Sequence, residues 1–477
     1  MSSYNSFFKA YDMRGTYPQL NENVYYWFGR ALVEVTFKDT AEPQILLARD
    51  GRYTSEAFYK ALVNGILDAG GKPICLGVGS SDFLYAACQS KNLPGGSLTA
   101  SHNPKDDNGL KVVLEGSSML GLKNGLDKVR DYVISKIDAI EIDKSTWVEA
   151  VTDEQTKAEI TQFFMGKIKE IGDIDNVNKI LTNQNKKLKI AVDAGNGTGG
   201  FVMELAKDLY QNIEFVPMYW ELDGNFPNHP ADPQTFANLK DLQDKVKNND
   251  DIDFGFAFDG DADRVFFVDD KAEIVQGDFL VAFFAQTLLK KYKANPNPDL
   301  EPAIVYLQPG SRCVPEAIAQ NDGIAIPSEQ GHTGIKARME KYRAIYGGEN
   351  SGHHYFSEFG RMDSGILAAV LMIKLLAENG KKLSEIFKTL NETYFISDLI
   401  AIKLKEDQTF EAMKAKLIEG YPDATFSEFD GLSVFYPDWK FVIRPSNTEP
   451  VLKMFVESRG TDQVKARTSE IYGILGL

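Results

Sequence analysis

Apolar and polar positions along the chain alternate between two periods. Short apolar runs bounded by glycine or charged turns, such as Gln44 to Ala48, Pro73 to Leu76, Leu188 to Val192 and Phe254 to Phe258, read as buried strands. Between them lie stretches with helical spacing: Val24 to Thr36, Ser55 to Ala69 with Gly70-Gly71 as its stop, Phe83 to Ser90, Leu126 to Ile140 and Asp153 to Ile171. Further helices are predicted at Ser364 to Glu378, Lys382 to Leu390, Phe410 to Ile418 and Gln463 to Leu475. Strands are predicted at Ser397 to Leu404, Gly431 to Tyr436 and Trp439 to Ile443. Strand and helix alternate over most of the length, and the strand ends are marked by glycine. That order predicts α/β layers built on mixed sheets, with a change to an α+β pattern near the C-terminus.

The 477 residues are too many for one hydrophobic core and call for roughly three or four domains. Polar stretches and pattern changes place them at 1–150, 151–272, 273–390 and 391–477. A net charge of −16 argues against nucleic acid or an anionic membrane as a partner. The longest apolar run, Ile366 to Ile373, is too short to span a bilayer, and the polar first residues show no signal peptide. Three cysteines, Cys75, Cys88 and Cys313, form no CxxC pair, so a reducing, cytoplasmic setting is expected.

Chemistry-bearing groups collect on one loop per unit. The first loop, Leu98 to Leu110, holds Ser101 between two short strands among small turn-forming residues, which suits either a plain turn or a nucleophile. In the second unit Asp259, Asp261 and Asp263 follow the strand Phe254 to Phe258. Alternate carboxylates at a strand end repel strongly unless a cation or solvent relieves them. An EF-hand is excluded, since its sixth position is Arg264 and its twelfth is Asp270. An open three-carboxylate set suits Mg²⁺ beside a phosphate oxygen. The third loop, Gly347 to His354, offers Glu349, Asn350, Ser351, His353 and His354, and fits a polyhydroxylated ligand better than zinc. The fourth, Arg444 to Pro450, concentrates a guanidinium, two hydroxyls and an amide, a cradle for a phosphate dianion.

One stretch offers a competing reading. Gly195, Gly197 and Gly200 satisfy G-x-G-x-x-G between a strand and a helix, with Glu221 downstream, so a nucleotide-dependent oxidoreductase is the rival. A tight strand-to-helix turn that needs glycine for backbone reasons alone is ranked above it. A catalytically silent sugar-phosphate binding protein is a third reading.

A nucleophile, a cation cage, sugar contacts and a phosphate clamp are the parts of a phosphoryl transfer on a phosphorylated polyol. Here the chain resembles the α-D-phosphohexomutases, through Thr99-Ala100-Ser101-His102-Asn103-Pro104, Asp259-Gly260-Asp261-Ala262-Asp263-Arg264, Gly348-Glu349-Asn350-Ser351-Gly352-His353 and Arg444-Pro445-Ser446-Asn447-Thr448. Phe8 to Gly15 also looks like the family's opening motif, and the loop from Gly348 to Phe356 is most similar to phosphomannomutases. The resemblance implies three related α/β domains around a central cleft and a smaller C-terminal α+β domain. It implies a phosphorylated Ser101 and Mg²⁺ on Ser101, Asp259, Asp261 and Asp263. Catalysis would involve Arg14, Lys111 and His102, with Arg14 and Lys111 in proton transfer or charge stabilisation. Tyr11, His332, Glu349 and Ser351 would meet the sugar, and Arg444, Ser446, Asn447 and Thr448 the idle phosphate.

The expected activity is interconversion of mannose 6-phosphate and mannose 1-phosphate through a hexose 1,6-bisphosphate, with hexose mono- and bisphosphates as partners. Glucose or glucosamine phosphates are the alternatives. A monomer or dimer is expected. Some relatives carry Lys-Thr before the Gly-His pair, whereas this chain has Glu329-Gln330, a departure that bears on substrate preference.

Overall fold

The computed structural model describes residues 3–404, 408–445 and 451–476. The chain forms two compact units, Met1–Val275 with Ser351–Ser384 and Gln276–Asn350 with Glu385–Leu477.

In the first unit, strands Gln44–Arg49, Lys72–Val78 and Gly95–Leu98 are parallel neighbours, and Asp107–Val113 and Met13–Thr16 extend the sheet antiparallel. Helices Glu22–Ala31, Ser55–Asp68, Ser81–Lys91 and Leu126–Ile137 accompany this sheet. Val24, Phe28, Phe58, Leu62, Leu47 and Leu110 share its core. A second sheet repeats the plan. Leu188–Asp193 lies parallel to Ile213–Met218 and Phe254–Phe258, and Val265–Val268 turns back antiparallel. In both sheets the loop of interest joins a parallel strand to its antiparallel neighbour. Ser101 follows Gly95–Leu98, and the aspartates follow Phe254–Phe258.

The stretch Ser351–Ser384, expected with the third domain, groups with this unit. Helix Gly365–Asn379 buries nearly its whole surface, and it packs on helices Glu154–Ile171 and Ile174–Asn183. Phe359 stacks on Phe164. The apolar run Ile366 to Ile373 is therefore core, and among the described residues no helix is long and apolar enough to cross a membrane.

In the second unit Ile324–Ser328, Glu301–Leu307 and Ala344–Gly348 are parallel. A separate sheet is antiparallel throughout, from Phe395–Ile396 and Ile400–Lys403 to Thr425–Ser427, Leu432–Phe435, Trp439–Pro445 and Val451–Ser458. Helices Phe410–Gly420 and Thr461–Leu475 complete this α+β part.

Several elements differ from the sequence expectation. The strand expected from Ser397 to Leu404 begins only at Ile400 and runs to Lys403, with a separate two-residue strand, Phe395–Ile396, before it; Ser397 gives its hydroxyl to the Asp398 carbonyl instead of joining either. Helix Leu126–Ile137 stops short of Ile140, and Glu22–Ala31 widens into a π-turn over Leu32–Thr36. Helix Ile174–Asn183 was not foreseen, since its Asn- and Asp-rich face masks the buried spacing of Ile174, Val177, Asn178 and Leu181.

Candidate active site

Ser101 is 1% exposed and sits at φ +54°, in the left-handed region. Its amide donates to Thr99 Oγ1 at 2.8 Å, and its hydroxyl lies 2.8 Å from Asp259 Oδ2 and 3.2 Å from His102 Nδ1. Arg14 comes from the neighbouring strand Met13–Thr16. It donates to the Ala100 carbonyl at 3.2 Å and to Asn103 Oδ1 at 3.1 Å, while its Nε pairs with Asp12 at 2.8 Å.

The aspartate turn packs against this loop backbone to backbone. A Cβ at Gly260 would lie 2.6 Å from the Ser101 carbonyl oxygen, so only glycine allows the approach. Asp259, Asp261 and Asp263 are all buried, and one oxygen from each lies within 4.8 Å of the others. Lys111, from strand Asp107–Val113, reaches Asp261 Oδ2 at 2.7 Å and Asp263 Oδ2 at 2.5 Å. Ser81, first residue of helix Ser81–Lys91, adds its hydroxyl to Asp261 Oδ2 at 2.5 Å.

The charges are strongly coupled. Burial, then Asp263 and Asp261, push the Asp259 carboxyl well above its ordinary range. Burial also works against ionised Asp261 and Asp263, but Lys111 together with the Ser81 hydroxyl on Asp261, and with His353 and Arg264 on Asp263, outweighs it and both are held low. The Lys111 pKa in turn is raised well above normal, because its two aspartates overcome the cost of burying the ammonium. His102 is driven down by the Arg264 charge, then by burial and by Arg14, so its imidazole is neutral.

The site fits a divalent cation. The Oδ1 atoms of Asp261 and Asp263 are buried and have no hydrogen-bond partner, an arrangement that is costly without a ligand. Hard carboxylate oxygens suit Mg²⁺ or a similar ion. A second buried group, Asp263 with His353 and Asp363, also brings one ligand atom from each within 4.8 Å of the others. Arg264 Nε donates to His353 Nε2 at 2.9 Å, which leaves the ring proton on Nδ1, facing Asp363 Oδ2 at 3.6 Å. Nε2 is thereby taken by Arg264, while Nδ1 is buried without a hydrogen-bond partner among the described residues.

The glycine-rich turn at Gly195 is structural. Its amides are consumed internally: Gly195 by Asp193 Oδ1, Asn196 by the Tyr219 carbonyl, Gly197 by Ala194 and Thr198 by Gly260. Backbone also closes on the other glycines: an added Cβ at Gly197 would lie 2.6 Å from the Gly260 carbonyl oxygen and one at Gly200 2.3 Å from that of Trp220, so the turn packs on the aspartate loop.

Ser101, His102, Arg14, Lys111 and the three aspartates thus come together in one unit, where the half-buried Tyr11 and buried Ser351 also lie. His332, Glu349 and Arg444 belong to the other. There Glu349 Oε1 accepts from the Gly331 amide at 3.0 Å, His332 opens helix His332–Lys341, and Arg444 Nη2 donates to Gln330 Oε1. Glu329 pairs with Arg338 at 2.8 Å. Ser446, Asn447 and Thr448 lie outside the described residues.

Sequence reasoning missed Ser81, Asp82 and Arg52. Asp82 accepts from the Ser80 hydroxyl and, at 2.5 Å, from Ser364, and burial lifts its pKa to about 7. Arg52 stood in a charged strand-end turn, but nothing local tied it to Ser101.

Four family models match in succession. They are described as phosphoglucomutase/phosphomannomutase alpha/beta/alpha domains I, II and III and the C-terminal domain, at residues 5–133, 164–273, 276–394 and 399–473. Phosphohexose mutases of Xanthomonas campestris pv. campestris are 31% identical, with 98% of each chain covered. A phosphomannomutase of Vibrio cholerae is 32% identical over 95% of this chain and 94% of its own. A crystal structure of a phosphoglucomutase/phosphomannomutase family protein from Burkholderia thailandensis superposes with a TM-score of 0.78 at 26% identity, covering 100% of this chain and 98% of its own. A buried serine, an acidic cation cage and full-length likeness agree: the chain belongs to the phosphoglucomutase/phosphomannomutase family and is a phosphohexomutase, an isomerase.

Proposed function

We propose that this enzyme interconverts mannose 6-phosphate and mannose 1-phosphate, accepts glucose phosphates as well, and works in the cytoplasm through a phosphorylated Ser101. The observation that carries the mechanism is the buried Ser101 hydroxyl 2.8 Å from Asp259, in the same site as a Lys111 that bridges Asp261 and Asp263. The three buried cysteines are free thiols, which supports a reducing setting.

The phosphoryl group leaves Ser101 Oγ for the free hydroxyl of a bound hexose monophosphate. The O–P bond to serine breaks, the O–P bond to the sugar forms, and the proton that the sugar hydroxyl gives up ends on the Ser101 oxygen. His102 Nδ1 lies 3.2 Å from the Ser101 hydroxyl and, kept neutral by the Arg264 charge, orients that oxygen by a hydrogen bond. Arg14 and Lys111 are held cationic by their carboxylate partners, and they stabilise the charge spread over the transferring group. The bisphosphate then reorients and returns its other phosphate to Ser101. Asp259, Asp261 and Asp263, with the Ser101 oxygen, would hold Mg²⁺, which supplies charge neutralisation at the transferring phosphate. Glu349, Ser351, His332 and Tyr11 meet the sugar, and Arg444, Ser446, Asn447 and Thr448 grip the phosphate that is not moving. Their assignment rests on the likeness of their motifs to the family's.

Intact mass of the purified protein tests the scheme. One phosphate is expected on the native chain, lost together with turnover in Ser101→Ala while the fold persists. Normal activity in that variant would sink the mechanism. A coupled assay on mannose 1-phosphate, glucose 1-phosphate and N-acetylglucosamine 1-phosphate sorts the substrate preference, and the highest kcat/KM is expected for mannose 1-phosphate.

A further inference from the structure

Arg52 is 2% exposed, and each of its five side-chain N–H groups has an acceptor. Nε donates to Asp50 Oδ2 at 3.0 Å. Nη1 reaches the carbonyls of Pro104 at 2.5 Å and Asp107 at 3.0 Å, and Nη2 those of Ser101 and Asn103, each at 2.8 Å. Four of its five bonds therefore go to backbone oxygens of the Ser101 loop. A guanidinium with every donor committed cannot also bind substrate phosphate.

The fold brings the two together. Strands Gln44–Arg49 and Gly95–Leu98 are parallel with Arg49 opposite Leu98, so the turns after both leave the same sheet edge. Asp50 is itself fixed, since its Oδ1 accepts from the Arg52 amide at 3.1 Å and from Ser55 Oγ at 2.5 Å. The second sheet's excursion closes the other side. The Phe226 ring centre lies 5.3 Å from the guanidinium carbon, and a Cβ on Gly224 would fall 2.5 Å from Arg52 Cα. The Asp223-to-Pro227 stretch, a turn-rich segment without an evident role in the sequence, is the cover of this clamp.

We propose that Arg52 is the positioning residue of the reactive loop. It holds Ser101 at φ +54°, a conformation that a non-glycine residue keeps only with outside support. In that conformation the hydroxyl points at Asp259. With the carbonyls of Ser101, Asn103, Pro104 and Asp107 released, the backbone relaxes to negative φ and the hydroxyl swings away from the aspartates. Lysine does not replace arginine here, because an ammonium has three donors and no planar fan.

The proposal rests on Ser101 being the phosphoryl carrier, and the test separates the two ideas. In Arg52→Lys, kcat per folded molecule is expected to fall about 100-fold, with KM within about threefold, because misplacement by an ångström costs about that much. A change confined to KM or to thermal midpoint, with kcat within about twofold of wild type, overturns it. If Arg52→Lys does not fold, Asp50→Asn decides: it keeps the shape but loosens the Nε anchor, and a kcat loss of about tenfold is expected. A wild-type kcat there overturns the proposal. Ser101→Ala run alongside tells which idea failed: an active Ser101→Ala removes the carrier itself, whereas an inactive one beside a fully active clamp variant removes only the positioning role.

Discussion

Ser101 and Asp259 are 158 positions apart in the chain and meet at 2.8 Å, hydroxyl to carboxylate, in a place closed to solvent. Asp259 carries a pKa well above the ordinary carboxyl range, because burial and the charges of Asp263 and Asp261 oppose its ionisation. A cation bound there favours the ionised form and so displaces a proton. Titration with Mg²⁺ in buffers of different ionisation enthalpy is expected to show proton release, with affinity rising as pH rises. Asp259→Asn is expected to bind more weakly and release no proton. Proton-neutral binding by the wild type would contradict the charge state described here.

Lys111 is the counter-charge of that site. Removing one partner of a buried ion pair costs about 3–5 kcal/mol, because the remaining charges are left uncompensated. Lys111→Met is therefore expected to unfold at lower denaturant in chelator by about that amount. Added Mg²⁺ is expected to recover part of the loss, since the cation takes over the ammonium's screening of Asp261 and Asp263. Chelator-treated wild type is expected to stay folded but inactive. Denaturant melts of both proteins, with and without Mg²⁺, check this.

Asp82 links two helix starts, since it accepts from Ser80 and from Ser364, the N-cap of helix Gly365–Asn379. Burial, with Asp263 and Asp261 behind it, lifts its pKa from 3.8 to about 7. A carboxyl raised in the folded state contributes its stability below the unfolded pKa and loses it as pH climbs through the folded one. Between those limits the wild type is expected to lose up to about 4 kcal/mol relative to Asp82→Asn, at about 1.4 kcal/mol per pH unit. Melting both proteins from about pH 4 to about pH 8 measures the difference, and parallel curves would refute it.

The Gln330 amide oxygen accepts from the Arg444 guanidinium. A neutral partner orients the guanidinium without cancelling its charge, which keeps it available to a phosphate dianion. Gln330→Glu is expected to raise KM for hexose 1-phosphate about tenfold, with kcat nearly unchanged. Gln330→Leu is expected to do less. Steady-state kinetics on the three proteins decides.

Much of the site's content was legible in the residues themselves. Ser101 in a proline-stiffened turn, three aspartates at alternate positions and a guanidinium beside hydroxyls are local patterns, and their chemistry follows from residue type and spacing. The α/β alternation was legible for the same reason, since strand and helix leave different apolar periods. The G-x-G-x-x-G turn shows where spacing fails: its amides are spent on Asp193, Tyr219, Ala194 and Gly260, which no pattern along the chain reveals.

Residue type and local spacing were enough to name the reactive groups and the elements that bear them. Tertiary structure alone decided which groups face one another: Lys111 with Asp261 and Asp263, Asp82 with Ser364, and Arg52 beneath Ser101. The reason is physical. Propensity and periodicity act over a few residues, whereas pKa, charge pairing and loop clamping depend on burial and on sheet register, which join positions 49 to 282 residues apart.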